Sequence, residues 1–267
     1  MRVYSKVWRK GALLVAVACV PGAGAPIAAA QAGAARNPVV LELFTSEGCS
    51  SCPPADQWVE RLDAAQPLPG AELIVLSEHV DYWDHEGWKD PYSSAALTQR
   101  QENYVSVMSL SGVYTPQLIL DGQVEVRFGD AHQVSEVFHK AAAEARIPVE
   151  IEDVRVADGA VTGHVVVAAE GSKHGDVLVA VALDRTQTDV LGGENDGKKL
   201  TNAGVVRALV KIGKTEKGRA FDRAFRVPVS AKDVGNLRVV ALVQEGGWGP
   251  IVGAGMVKVG AEVATGR

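Results

Sequence analysis

The chain has 267 residues, with 27 Lys and Arg against 32 Asp and Glu and a formal net charge of −5. Its first 30 residues hold four basic side chains and no acidic one, so the rest of the chain has 23 basic against 32 acidic side chains, a net charge near −9. A negative balance of this size argues against a nucleic acid or an anionic membrane surface as partner. The remaining length is enough for one large domain or two ordinary ones.

Residues 1–30 have the pattern of a secretory signal peptide. Four basic residues come first, an apolar stretch follows over Gly11–Val20, and small residues lead to Ala28-Ala29-Ala30, a candidate cleavage site. The apolar stretch is too short to cross a bilayer as a helix. We therefore expect a secreted or periplasmic protein with no transmembrane segment in the mature chain.

Alternating strand and helix patterns occupy residues 37–147. Near-continuous apolar runs predict buried strands, and the Pro53-Pro54 pair can stand only in the first turn of a helix. Asp121-Gly122 between alternating residues predicts a hairpin turn. The predicted elements are a strand over 39–45, a helix from Pro53, a strand over 72–80, an insertion over 81–96, a helix over 97–109, a hairpin around 121–122 and a helix from 130 to about 146.

The pattern changes after Pro148. Short strands recur with turn signals between them, and helical periodicity is not evident. This pattern predicts an all-β sandwich domain over 148–260, followed by a short tail over 261–267. The predicted fold class is thus α/β, β-α-β-insert-α-β-β-α, followed by a β-sandwich.

Cys49 and Cys52 are the only cysteines outside the signal segment, which holds Cys19. They could form a redox centre, a metal site or a structural disulfide. A bridge across two residues closes almost no loop, so it would stabilise the fold little. Structural zinc needs four ligands, whereas copper(I) accepts two thiolates. A redox centre is therefore favoured, and copper(I) bound by Cys49 and Cys52, with His79, is the metal alternative.

Four segments carry a family resemblance: FTSEGCSSCPPAD, HVDYWDHEGWKDP, YTPQLILDG and GENDGKKLTNAGVVRAL. Together they resemble exported thioredoxin-like proteins of unknown function, domain-of-unknown-function family 1223, over nearly the whole mature chain. Strand, CxxC, helix and a later Thr115-Pro116 resemble the thioredoxin fold over roughly 39–146. The resemblance implies a cis bond before Pro116, which would face the cysteines and let Thr115 dock the substrate backbone.

The predicted function is thiol–disulfide exchange with a protein thiol or disulfide substrate and an unidentified redox partner, without a cofactor. Cys49, expected to be the more exposed thiol, would attack, with its pKa lowered by the helix N-terminus. Cys52 would resolve the mixed disulfide. The alternatives are a copper(I)-binding protein or metallochaperone, and a non-catalytic interaction module with an inert disulfide.

Several other residues are weaker candidates. The thioredoxin resemblance implies that Glu42 relays a proton to the resolving cysteine, although strand parity favours the opposite face of the sheet, where it could pair with a distant Arg. His79, which shares a face with Asp81, could approach the thiols. The insertion is either a packed lid or a substrate platform, and the segment Gly192–Lys199 is interpreted as a surface loop. The aromatic candidates in the insertion are Tyr82, Trp83 and Trp88.

Overall fold

The computed structural model describes Met1 and residues 36–169 and 173–259. The rest of the predicted signal segment, with Cys19, and the predicted tail 261–267 lie outside the described residues. The first elements follow the predicted order. They are β1 (Asn37–Thr45), α1 (Pro53–Ala65), β2 (Ala71–His79), α2 (Ala95–Val107), β3 (Gln117–Leu120), β4 (Val124–Val126) and α3 (Ala131–Ala143).

Strands dominate the remaining part. Seven are described there, and β7 and β8 are longer than the short strands that the sequence predicts, at 15 and 17 residues. They are β5 (Ile147–Ala157), β6 (Ala160–Val167), β7 (Gly175–Asp189), β8 (Lys199–Thr215), β9 (Phe221–Pro228), β10 (Leu237–Gln244) and β11 (Ile251–Val259). Single 3₁₀ turns lie at Gly193–Asn195 and Ala231–Asp233.

One sheet connects both parts of the chain. Its order is β4-β3-β1-β2-β8-β7-β10-β11-β5-β6-β9. β1 and β2 are parallel, and β3 runs antiparallel to both β1 and β4. The protein is therefore a mixed α/β fold built on a large, mostly β sheet. A thioredoxin-like domain followed by a clearly separate sandwich is not what the structure shows, and this part of the fold prediction needs correction.

The joint between β2 and β8 explains the correction. The strands meet through one parallel pair, Ser77 and Val205, and the Ser77 hydroxyl donates to the Ala203 carbonyl over 2.8 Å. Gly204 has φ +64°, and a Cβ there would collide with the carbonyl oxygen of Val75. A glycine thus lets the two strands come close together.

Helix α1 is tied to strands from the second part of the chain. The buried Arg238 guanidinium of β10 donates to both carboxylate oxygens of Asp63, over 2.8 and 3.0 Å, and Arg185 of β7 donates to the same carboxylate over 2.9 Å. Bidentate guanidinium–carboxylate pairs fix geometry as well as charge. These contacts hold α1 against strands that start more than 100 residues later in the sequence.

Alternation along β1 determines which side chains face α1. Val39, Leu41 and Leu43 pack in one cluster with Ala55 and Val59 of α1. The residues between them point to the opposite side, where Val40 joins a different cluster. This parity positions Thr45 toward α1 and Glu42 away from it. In the described part of the chain, no helix has both the length and the apolarity needed to cross a membrane.

Candidate functional site

Cys49 and Cys52 form a disulfide between the end of β1 and the start of α1. Cys52 is the N-cap residue of α1, and Pro53 and Pro54 form its first turn, as predicted. Both cysteines are 0% exposed, so the expectation that Cys49 is the more exposed one is wrong. Only the Ser50-Ser51 tip between them reaches solvent.

The segment before β3 lies against the disulfide. The Thr115-Pro116 peptide bond is cis, as the resemblance implies. The Thr115 carbonyl oxygen lies 3.8 Å from Cys49 Sγ, and the Ser51 hydroxyl donates to the same oxygen over 3.3 Å. The Trp83 indole donates to the Thr115 hydroxyl over 2.8 Å and so anchors this segment from the side of the insertion.

A turn from the second part of the chain covers the other side of the cysteines. The Asn195 amide donates to the carbonyls of Glu47 and Cys49 over 2.8 and 2.9 Å. The Ser50 N–H donates to the Glu194 carboxylate over 3.0 Å. Most of Gly192–Lys199 is exposed, as the surface-loop interpretation predicts, but Asn195 is fully buried and fixes the loop against the cysteines.

His79 ends β2 inside a buried acidic cluster. Its Nδ1 lies 2.7 Å from the Asp90 carboxylate, which also accepts the backbone N–H groups of Glu47 and Tyr92, each over 2.8 Å. Burial lowers the pKa of His79, but Asp90 raises it more, so it lies above the usual 6.5. Burial would raise the pKa of Asp90, and the charge of His79 holds it below its usual 3.8. The two groups form a buried ion pair.

Two further buried acids flank the cysteines in sequence. Glu47 accepts the Trp88 indole N–H over 3.0 Å, and burial, followed by the charge of Asp90, raises its pKa. Asp56 accepts the Thr45 hydroxyl over 2.8 Å, and burial raises its pKa to about 7. Sequence reasoning missed both residues, although both lie within the quoted FTSEGCSSCPPAD segment.

The family model for a protein of unknown function, DUF1223, matches residues 40–244 of this chain. The chain belongs to the DUF1223 family. A crystal structure of a structural-genomics target from Agrobacterium tumefaciens is 28% identical, covers 87% of this chain and 99% of that chain, and has a TM-score of 0.65. A sporulation control protein from Bacillus subtilis is 14% identical, covers 43% and 47%, and has a TM-score of 0.29, too low to carry an argument. No curated protein matches.

In this DUF1223 protein Glu42 does not face the cysteine-bearing helix. It lies on the opposite face of β1, where its carboxylate accepts Arg100 Nε and the Tyr104 hydroxyl, each over 2.7 Å. Arg100 comes 58 residues later in the chain, so the alternative of a distant Arg partner is the arrangement observed. The geometry does not fit the relay position implied by the thioredoxin resemblance.

The aromatic residues of the insertion use their polar atoms inside the protein. Trp83 binds Thr115, Trp88 binds Glu47, and the Tyr82 hydroxyl donates to Gln101 over 3.3 Å. All three aromatic side chains are half-buried. These contacts agree with a packed cover beside the disulfide, and a substrate-binding role for these residues stays a prediction.

His79 and Asp81 have different partners. The Asp81 carboxylate accepts the Thr98 hydroxyl over 2.6 Å and not a group of the His79 cluster. In the described part of the DUF1223 chain, three or more metal-ligating side chains do not come together at one point. Copper(I) accepts two thiolates, so binding by Cys49 and Cys52, with His79, stays a prediction.

A cavity of about 670 Å³ lies apart from the predicted site residues, none of which lines it. Its wall combines apolar side chains of β7 and β8 with Arg100 and Trp248. The Arg100 guanidinium lies 5.4 Å from the centre of the Trp248 ring. Arg100 also donates to Glu42. The cavity therefore borders the buried Arg100–Glu42 ion pair, and neither cysteine lines it.

Proposed function

We propose that this protein is an exported thiol–disulfide exchange protein whose working groups are Cys49 and Cys52. The observation that carries the proposal is the position of the pair: it lies at the start of α1, with Cys49 Sγ 3.8 Å from the Thr115 carbonyl. Export would place the pair where a disulfide is stable between turnovers.

The finer fold proposal is a thioredoxin-like arrangement of residues 37–147. The order β4-β3-β1-β2, with β1 and β2 parallel and β3 antiparallel to β1, supports it. In that arrangement the backbone of Thr115 pairs with an extended substrate chain. Tyr114, next to Thr115 in the chain, is 43% exposed, so its ring is open to solvent for such a chain to contact.

The exchange requires two displacements. In the reductive direction the Cys49 thiolate attacks a substrate disulfide, forms a mixed disulfide and releases one substrate thiolate. Cys52 then loses its proton and attacks Cys49 Sγ, which releases the second substrate thiolate. Two electrons pass from the cysteine pair to the substrate, and the reverse sequence oxidises a dithiol substrate.

Asp56 is the proposed proton acceptor for Cys52. Asp56 lies one helical turn after Cys52 in α1, and its carboxyl is buried with a pKa of about 7. A group that titrates near neutral pH can both take up and return a proton. In this proposal Asp56 has the role that the resemblance gave to Glu42.

The test is capture of the mixed disulfide in the full mature chain. In Cys52→Ser the first displacement can occur but resolution cannot, so incubation with a protein disulfide substrate should give a covalent adduct through Cys49. Cys49→Ser is the matched control and should give none. An adduct in neither variant would overturn the proposal and favour an inert disulfide. Thiol-dependent copper(I) binding, lost in Cys49→Ser, would then favour the metal alternative.

A further inference from the structure

The start of α1 lacks much of what normally stabilises a thiolate there. In many CxxC proteins free N–H groups and the helix dipole favour the anion. Here Pro53 and Pro54 have no N–H to offer. The N–H of Cys49 donates to Ser46 over 3.2 Å, and that of Cys52 donates to Cys49 over 3.2 Å.

The N–H of Ser50, between the cysteines, is hydrogen-bonded to a carboxylate. It donates over 3.0 Å to the carboxylate of Glu194. Hydrogen bonding by the Ser50 side chain, followed by this N–H bond, lowers the pKa of Glu194, which is therefore ionised at neutral pH. A thiolate forming on Cys49 would meet a carboxylate at the adjacent residue. Like charges at short range disfavour each other.

Acids also outnumber cations in the surroundings of the cysteine pair. The imidazole of His79 is held by Asp90, and the ammonium of Lys198 donates to Asn195 over 2.8 Å. The Ser51 hydroxyl lies 3.3 Å from Cys49 Sγ, but it carries no charge and donates its proton to the Thr115 carbonyl. The charged and titratable groups of the surrounding segments are Glu47, Asp56, His79, Asp90, Glu194 and Lys198.

We propose that this environment, with Glu194 as the positioning residue that matters most, disfavours the Cys49 thiolate and makes the cysteine pair a donor of electrons to protein disulfides. The proposal rests on the proposed exchange function and adds its direction. A couple whose thiolate is poorly stabilised holds its disulfide form more firmly, because strong oxidants are those whose reduced form is stabilised.

The direction of electron transfer determines which partners the cysteine pair needs. The Cys49-Cys52 dithiol gives two electrons and two protons to a substrate disulfide, which becomes two thiols, while Cys49 and Cys52 become the disulfide seen here. A further cycle needs a protein dithiol donor, which returns two electrons and two protons to the pair and is itself oxidised to a disulfide. The partner class is therefore a dithiol reductant on one side and a protein disulfide on the other.

The experiment mixes the reduced full mature chain with an equal amount of oxidised protein disulfide isomerase, quenches with acid and counts free thiols on each protein. We expect electrons to pass to the isomerase, with an equilibrium constant of at least about ten, because thioredoxin-type donors lie well below the isomerase in potential. Electrons that stay on Cys49 and Cys52 would overturn the inference while leaving exchange itself intact. Failure to exchange in either direction would count against the proposed function instead.

Charge variants at residue 194 test the positioning role. Glu194→Gln should shift the exchange equilibrium with the isomerase toward the Cys49-Cys52 dithiol by about threefold. It should also lower the Cys49 pKa, measured from thiolate absorbance. Glu194→Lys should shift both quantities further in the same direction. Asp196→Asn removes the same charge from an exposed residue on the same turn, and it should change either quantity less than about twofold. Equal shifts in Glu194→Gln and Asp196→Asn, or none in Glu194→Lys, would overturn the role of Glu194.

Discussion

The side-chain amide of Asn195 donates a 2.9 Å hydrogen bond to the carbonyl of Cys49, 146 residues earlier in the chain. The same amide donates to the carbonyl of Glu47, so one buried side chain satisfies two backbone acceptors next to the disulfide. The cysteine loop and its cover are therefore one structural unit, although they come from opposite parts of the sequence.

Replacing Asn195 should loosen this unit. Asn195→Ala leaves two buried carbonyls without their donor, at a cost of about 1–3 kcal/mol in the free energy of unfolding. The disulfide should also become easier to reach, so dithiothreitol should reduce it several times faster. Denaturant unfolding and thiol release measure the two effects. Asp196→Ala, an exposed neighbour, should change neither, and an unchanged reduction rate in Asn195→Ala would show that the turn does not limit access.

The His79–Asp90 pair should make stability depend on pH. The folded pKa of Asp90 is below 3.8, so its contribution exists above that pH and is lost as the pH falls through the folded value. The folded pKa of His79 is above 6.5, so its contribution is complete below 6.5 and is lost as the pH rises through the folded value. Asp90→Asn should therefore cost about 3 kcal/mol at pH 5.5 and clearly less at pH 9, measured by urea unfolding. An equal loss at both pH values would contradict the pairing.

Burial of Asp56 should lower the stability of the fold at alkaline pH. Its folded pKa of about 7 is raised from 3.8, so the protonated carboxyl stabilises the fold at low pH and this contribution disappears as the pH rises through 7. Asp56→Asn keeps an acceptor for Thr45 and has no charge to bury. We expect the variant to match the parent near pH 4 and to exceed it by about 1–3 kcal/mol at pH 8.5, measured by urea unfolding. A variant that is less stable at pH 8.5 would rule out this account of burial.

Glu42 should affect stability without affecting exchange. Glu42→Gln removes the charge that balances the buried Arg100, at a cost of about 2–4 kcal/mol in denaturant unfolding. Because Glu42 faces away from α1, the pH profile of the exchange rate should stay as in the parent. Asp56→Asn is the comparison variant, and it should change that profile near pH 7. A changed profile in Glu42→Gln would return the relay role to this residue.

The joint between β2 and β8 should tolerate only glycine at 204. Gly204→Ala combines a positive φ with a collision against the backbone of Val75, so we expect a loss of at least about 3 kcal/mol. Gly218 has a similar φ of +74° with open space around its Cβ, so Gly218→Ala should cost only about 1 kcal/mol. Thermal unfolding of the two variants separates collision from conformational strain. Equal losses would show that close approach at the joint is unimportant.

Local patterns predicted much of the first part of the fold. Apolar runs, Pro53-Pro54 and the Asp121-Gly122 turn are short-range signals, and each corresponds to an element or turn in the structure. Parity along β1 likewise pointed Glu42 to the face on which it lies. The union of the two parts in one sheet was not predictable in this way, because it depends on the Ser77–Val205 pair, formed between residues far apart in the sequence.

The sequence likewise predicted some residues of the candidate site and not others. The cysteines and the Thr115-Pro116 segment follow from motif and order. Asn195 and Glu194 could not be placed, because polar residues in a glycine-rich segment are typical of exposed turns. Asp56 and Glu47 were visible in the motif, but only their burial raises their pKa values, that of Asp56 to about 7.

The separation of Cys49 from its cover has a consequence for how the chain is made. Synthesis runs from the N-terminus, so the cysteines emerge long before Asn195, which is 146 residues behind Cys49. At about 5–20 residues per second, roughly 7–30 seconds pass between synthesis of Cys49 and synthesis of Asn195. During that interval its thiols are open to any oxidant or thiol that the nascent chain meets. The turn with Glu194 and Asn195 then packs against the cysteines in whichever redox state they have reached. The initial redox state of the folded protein therefore depends on the oxidants and thiols present during synthesis.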